Sequence, residues 1–317
     1  MQPIKRQRTE SESEGGQPVR SDIWFDDGNI IVQAEDTQFR VYRGTLCSTS
    51  EVFKDTISNM IEAKGIEGCP ILFLSDYAAD VTYIFRTIFY RWSYQDHEPL
   101  PFGAISAFLR LGRKYEMKPL FDGALRRLTA VFPQSIEQYA SGNMNKNIVF
   151  DNPEAPDRRS EIVIDTIVLA RTLELPFLLP SAFWFASTNI LSIGTKNIGA
   201  ISEGDRVTIF SAVNPLRVAY ADYLFDWLDE TKVEAAGCSL PQTCGPTKVS
   251  HSLNFWKPPG SALVLSWRPA AAQGLCRSCA GLGKKRYGEG AKRLWKELPS
   301  FFGLPAWEEL LAGAPNV

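Results

Sequence analysis

The sequence predicts an α+β protein: a small mixed sheet flanked by helices, then an all-helical extension, then a basic tail that contains cysteines. Three observations carry this prediction. A β-hairpin pattern stands near the start, helical spacing of apolar residues recurs between residues 76 and 228, and from residue 236 onward Pro and Gly are frequent while four of the six Cys appear.

Taken in order, residues 1–20 are rich in Ser, Glu, Gln and Gly with almost no apolar side chains. They cannot repay the entropy of ordering, so a disordered arm is expected there. The hairpin follows as Ile30-Ile31-Val32-Gln33-Ala34, a polar turn at Glu35-Asp36-Thr37, and Gln38-Phe39-Arg40-Val41-Tyr42-Arg43. Leu46 to Phe53 opens a helix, and a second helical stretch covers residues 52–60. Gly65, Gly68 and Pro70 mark a loop, and Ile71-Leu72-Phe73-Leu74 is short and apolar enough for a buried strand. Residues 76–91 carry Val81, Ile84, Phe85, Ile88 and Phe89 on one face. Residues 102–115 do the same with Ile105, Phe108, Leu109 and Leu111.

A repeat-like signal comes next. Leu111-Gly112-Arg113-Lys114-Tyr115-Glu116-Met117 and Leu169-Ala170-Arg171-Thr172-Leu173-Glu174-Leu175 share one pattern, and each ends a helix at a Pro-containing turn before another helix begins. Between them, residues 143–159 are polar and hold Pro153 and Pro156, as an exposed loop would. Residues 215–228 place Val218, Tyr220, Ala221, Leu224, Phe225 and Leu228 largely on one side. The pattern then breaks down from residue 236 and returns only over 289–298. The expected division is an arm (1–20), a first domain (21–133), a helical extension (134–235) and a tail (236–317).

The first domain resembles BTB/POZ domains. The family's Asp, Phe-x-x-His-Lys/Arg, Leu, Ser-x-x-Phe pattern falls on Asp22, Phe39, Arg43, Leu46, Ser50 and Phe53, with Tyr42 in place of the His. Tyr90 stands where the family closes a helix with Tyr. The Lys-Arg-Gln-Arg start and aromatic-rich end resemble the BTB proteins that are numerous in mushroom-forming fungi. The resemblance implies an interaction module that forms a homodimer, with Asp22 and Arg43 lining a charged pocket at the interface, and a helical extension that recruits protein clients. It also implies a contact with cullin-3 through a hydrophobic-x-Glu segment, which Met60-Ile61-Glu62 fits, and so a role as a ubiquitin ligase substrate adaptor. The other reading is a nuclear transcriptional regulator or scaffold with a tail that binds zinc and could bind nucleic acid. An ordinary surface Asp and Arg without mutual contact is the plain alternative to the interface pair.

Composition narrows the classes. A chain of 317 residues with 44% hydrophobic and 12% aromatic residues can build a substantial core, and no apolar run is long enough for a bilayer. An intracellular protein of nucleus or cytoplasm is expected, with reduced thiols. Residues 236–317 hold ten Lys and Arg against four Glu, a net of +6, which leaves −8 for the rest of a chain whose total is −2. Lys5, Arg6 and Arg8 could direct nuclear import or merely solubilise the arm.

Cys238, Cys244, Cys276 and Cys279 form the one metal-like constellation. A Cys-x-x-Cys pair can bite a tetrahedral Zn2+, although Cys238 and Cys244 are spaced more widely than is usual, and unligated thiols are the alternative. His251 is a spare ligand; Cys47 and Cys69 read as packing residues. The interaction role itself requires no cofactor. Only two His and no catalytic motif argue against an enzyme. The aromatics between residues 292 and 311 are expected to pack back on the protein rather than into a partner's groove. The patch Lys284-Lys285-Arg286 with a zinc module could bind nucleic acid, although its spacing fits none of the common DNA-reading fingers, so nucleic acid stands as an open and less favoured partner.

Overall fold

A computed structural model describes residues 18–60, 65–90, 98–141, 148–149, 162–188, 198–229, 237–255 and 265–315. The described chain is helix-rich α+β and divides into two compact units, Met1–Tyr94 with Ser106–Phe121, and Gln95–Ile105 with Asp122–Val317. The basic start at Lys5, Arg6 and Arg8, together with Glu62 and most of residues 143–159, lies outside the described residues.

The first unit is built on a sheet of order β1-β3-β2-β4. Strand β1 (Val19–Trp24) pairs parallel with β3 (Thr37–Val41), which pairs antiparallel with β2 (Ile30–Ala34), which pairs parallel with β4 (Ile71–Leu74). Strand β1 starts at Val19, inside the expected arm, because Arg20 forms an ion pair with Glu67 and lies 4.4 Å from the Trp24 ring centroid. Strand β4 is an edge, so only Leu72 is buried while Phe73 is exposed. Ile30, Ile31, Val32, Phe39 and Val41 are fully buried; burying such a side chain contributes roughly 1.5–3 kcal/mol.

Arg43 belongs to a helix rather than to the hairpin: α1 (Arg43–Thr49) runs to Ser50, whose extended backbone separates it from α2 (Glu51–Ser58). The Ser50 hydroxyl accepts the Phe53 N–H as an N-cap and donates to the Tyr115 carbonyl at 2.6 Å. Phe53 stacks on Tyr115 at 4.2 Å. Helix α3 (Ala78–Phe89) buries Val81, Ile84 and Phe85 as its spacing predicts. Asp80 of that helix takes a two-pronged bond from Arg110 of α4 (Phe102–Lys114), both contacts at 2.8 Å.

The second unit is helical apart from a short parallel pair, β5 (Leu100–Pro101) and β6 (Ile148–Val149), the latter inside the expected loop. Helices α5 (Lys118–Val131), α6 (Ile136–Ala140), α7 (Val163–Thr172), α8 (Leu179–Thr188) and α9 (Glu203–Leu224) follow in order. Helix α9 begins twelve residues before the stretch its apolar spacing marked, capped by Ser202, and it leaves Val218 exposed.

The tail is more helical than its sequence suggests. It forms α10 (Pro241–Phe255), α11 (Arg277–Glu297) and α12 (Trp307–Ala312). Gly in a helix interior costs about 1 kcal/mol relative to Ala, yet Gly283 and Gly290 are placed where nothing larger fits. A Cβ at Gly283 would lie 2.9 Å from the Trp227 ring, and one at Gly290 would lie 1.9 Å from the Tyr223 carbonyl oxygen. The helix is held by the surface it touches rather than by propensity. The tail aromatics do pack back as expected: Trp295, Phe302 and Trp307 are buried, and Trp307 Nε1 donates to the Trp295 carbonyl at 2.8 Å.

Candidate metal centre

Two helix starts bring the four tail cysteines together. Pro241 opens α10 and suits a first position whose N–H has no helical partner, which puts Cys244 in the first turn. Cys276 is the residue that caps α11, and Cys279 lies in that helix's first turn, so Cys-x-x-Cys places both sulfurs on the same end. Cys238 reaches the cluster from the turn before α10, where Gly237 adopts a left-handed backbone at φ +80°.

All four Sγ atoms lie within 4.8 Å of one another. Cys244, Cys276 and Cys279 are buried and Cys238 is half-buried, and all four are free thiols. The Cys276–Cys238 Sγ separation is 3.9 Å. Four sulfurs 2.3 Å from a tetrahedral ion would be separated by about 3.8 Å, so the cage needs little adjustment to close on one. The described residues thus include a group of four thiols that could hold a metal ion.

The electrostatics favour thiolate at Cys276 and oppose it at Cys244 and Cys279. The backbone N–H groups of Cys279 and Ser239 point at Cys276 Sγ and pull its pKa down to about 5. The Cys276 N–H donates to Cys244 Sγ at 3.2 Å, but burial and the adjoining thiols outweigh it and hold Cys244 above its ordinary value. Burial, reinforced by the other three sulfurs, raises Cys279 further. Without a cation the cage therefore carries its first negative charge at Cys276 and resists a second. The positive ends of two helix dipoles and a bound dication both act to relieve that resistance.

His251 takes no part: its Nε2 lies 3.1 Å from the Gln273 carbonyl oxygen. Cys69 is a packing residue whose thiol donates to the Gly28 carbonyl at 3.3 Å. The ion-pair partner of Asp22 is Arg86, at 2.8 Å, not Arg43. Arg86 holds the Asp22 carboxyl below its ordinary range. Arg43 instead donates its backbone N–H to Asn29 Oδ1 at 2.8 Å, because it starts a helix. Met60 donates its N–H to the Ile57 carbonyl just past α2, and its expected companion Glu62 lies outside the described residues.

Sequence reasoning missed Ser239, which lowers the pKa of the Cys276 thiol through its backbone N–H and also through its hydroxyl, because a lone Ser in a Pro- and Gly-rich segment carries no metal-site signature. It also missed a cleft of about 640 Å3 between α7 and α9, where Arg171 bonds the buried Asp205 at 2.6 Å. The Arg of the repeat was its only trace.

The chain matches no family model, and neither a curated protein nor a solved structure is significantly similar to it. Among the described residues no helix is long and apolar enough to cross a membrane.

Proposed function

We propose that this chain is an interaction protein rather than an enzyme: a BTB/POZ-like first unit that pairs with a second copy, and a helical second unit that recruits protein clients. The observation that carries this reading is that the residues of the BTB/POZ pattern are the ones that build the first unit. Phe39, Leu46 and Phe53 are buried in it, and Ser50 ties α2 to the end of α4 through its cap and its bond to Tyr115. The element order, a hairpin, two short helices, a strand parallel to β2 and a longer helix, also fits the family's plan.

In this reading Asp22 and Arg43 remain at the interface, with Asp22 held in place by Arg86. Recruitment of cullin-3 through Met60 and Glu62 is its most specific form, addressed by Glu62→Ala. The four-cysteine cage takes Zn2+ as a structural ion: with four sulfur ligands it leaves no open position for substrate, and it fastens a segment with little core of its own.

Light scattering on the full-length protein at tens of micromolar tests the central statement. A dimer that dissociates in the Asp22→Ala, Arg43→Ala double variant supports it, and a monomeric wild type overturns it. Native mass spectrometry of the same sample should find one Zn2+ per chain, lost in Cys276→Ser.

A further inference from the structure

The sequence isolates Lys284, Lys285 and Arg286 as a short basic patch, but a continuous α11 changes what that patch is. Over Arg277–Glu297 the buried positions are Cys279, Gly283, Tyr287, Gly290, Ala291, Leu294 and Trp295. The opposite side carries Arg277, Lys284, Lys285, Lys292 and Lys296, all exposed. At 1.5 Å per residue this row extends about 28 Å. Arg286 is drawn toward Asp226 at 3.9 Å, and Arg293 is engaged by Glu297 at 3.0 Å. The five others make no ion pair or hydrogen bond among the described residues, and Glu289 is the one acid on their side of the helix.

We infer that this face of α11 binds the phosphate backbone of duplex nucleic acid without reading its sequence. Five unpaired cations in a row repel one another and are stabilised by a polyanion, whose condensed counterions they release. The chemistry of the face selects among polyanions. A protein partner needs buried aromatic or aliphatic anchors, and none is exposed here, since Tyr287, Leu294 and Trp295 face inward. A single strand needs aromatic platforms for its bases, which are lacking for the same reason. A membrane surface needs an apolar face to insert, and that face of α11 is already spent on the second unit. What remains is charge plus smoothness: Gly281 and Gly288 have open space at their Cβ positions, so a bulky backbone can approach closely. Neither dimerisation nor the identity of the metal enters this inference.

The test is fluorescence anisotropy of the full-length protein with a labelled duplex DNA of mixed sequence, repeated with a scrambled duplex, a single strand of equal length, a poly-Glu peptide and anionic phospholipid vesicles. The two duplexes should bind equally and more tightly than the other probes. With five phosphate contacts the affinity should fall about 500-fold between 50 and 200 mM salt. In Lys284→Ala, Lys285→Ala, Lys292→Ala, Lys296→Ala the same change should be about 4-fold. Ala is the best helix former, so the variant keeps its helix, and circular dichroism checks this. Each single Lys→Ala should lower the log–log salt slope by about 1. The inference is overturned by absence of duplex binding at 50 mM salt, by equal or tighter binding of poly-Glu, the single strand or vesicles, or by binding that survives the quadruple change and is lost when Lys5, Arg6 and Arg8 become Ala. A monomeric protein that still binds duplex would sink the dimer reading and leave this one standing.

Discussion

The two units reach stability by different means. In the first, β-rich residues supply a sheet whose two central strands bury Ile30, Ile31, Val32, Ala34, Phe39 and Val41, and the helices that follow add apolar faces at ordinary spacing. In the last third of the second, the chain is rich in Gly and Pro and poor in periodic apolar residues. There, large aromatics press on glycines, Trp227 against Gly283, and four thiols gather where two helices begin. The difference teaches that periodicity is needed only where burial alone must hold the chain. Where aromatics close on glycines, as Trp227 does on Gly283, the pattern can lapse.

The largest expected effect separates the two directly. With Zn2+ in the cage as proposed, Cys279→Ser removes one of its four sulfurs, so the ion should be lost and α10 and the first half of α11 should lose protection in hydrogen exchange, while β2 and β3 keep theirs. Chelation of the wild type should do the same. With free metal a hundredfold above its Kd the linkage is about 2.7 kcal/mol, which the second unit's unfolding midpoint should lose. Equal loss of protection in the strands would mean that the contrast is false.

A smaller effect probes what the two units share. Each has an Asp in the first turn of a helix, buried, and held by an Arg with both of its forks: Asp80 by Arg110, Asp205 by Arg171. Removing the Arg leaves a buried carboxylate unpaired, which costs 3–5 kcal/mol when both partners are fully buried. The Arg110 side chain is 35% exposed and that of Arg171 is 49% exposed, so water compensates more in the second case. Arg110→Ala should cost about 2 kcal/mol and Arg171→Ala about 1 kcal/mol in urea unfolding. The reverse order would show that the cleft around Arg171 is drier than its exposure suggests.

What the sequence disclosed follows the same division. The hairpin was legible to within two residues, because Ile30 to Ala34 and Thr37 to Val41 are rich in β-forming residues and flank a polar two-residue turn. The start of β1 was not, since Arg20 is ordered by partners far along the chain, Glu67 among them. Helix α10 and the first half of α11 were hidden because their reasons to form are the surfaces they meet, and a glycine's fit against Trp227 has no local signature, whereas the second half of α11 was legible in the spacing of Leu294, Trp295 and Leu298. The Cys set was visible as a list, while its closure needed Pro241 and the Cys276 cap to aim both pairs at one point. Asp22 and Arg43 were legible as a pattern but not as a contact, because Arg86 lies 64 residues from Asp22.

The finest comparison is between the two copies of the repeat. In each, three backbone bonds end the helix in the same way: Tyr115 to Leu111, Glu116 to Arg113 and Met117 to Gly112 in one, Leu173 to Leu169, Glu174 to Arg171 and Leu175 to Ala170 in the other, with matching lengths of 2.8, 3.4 and 2.8 Å. The residue that turns the chain is Glu in both, at φ +55° for Glu116 and +51° for Glu174, a conformation that favours Gly. The repeat is thus a helix stop written in backbone geometry, and the ion pairs beside it are not equivalent, since Arg110 precedes one copy and Arg171 lies inside the other. Relief of left-handed strain by Gly is worth about 1–2 kcal/mol, and the added freedom of the unfolded chain takes back about 0.4–1 kcal/mol. Glu116→Gly should therefore stabilise by about 0.5 kcal/mol, read as a small rise in the urea midpoint, and Glu174→Gly by that amount less the worth of the interaction Glu174 makes. Opposite signs at the two sites would show that one glutamate side chain has a partner worth more than the strain it imposes, and the likeness of the two stops would then end at the backbone.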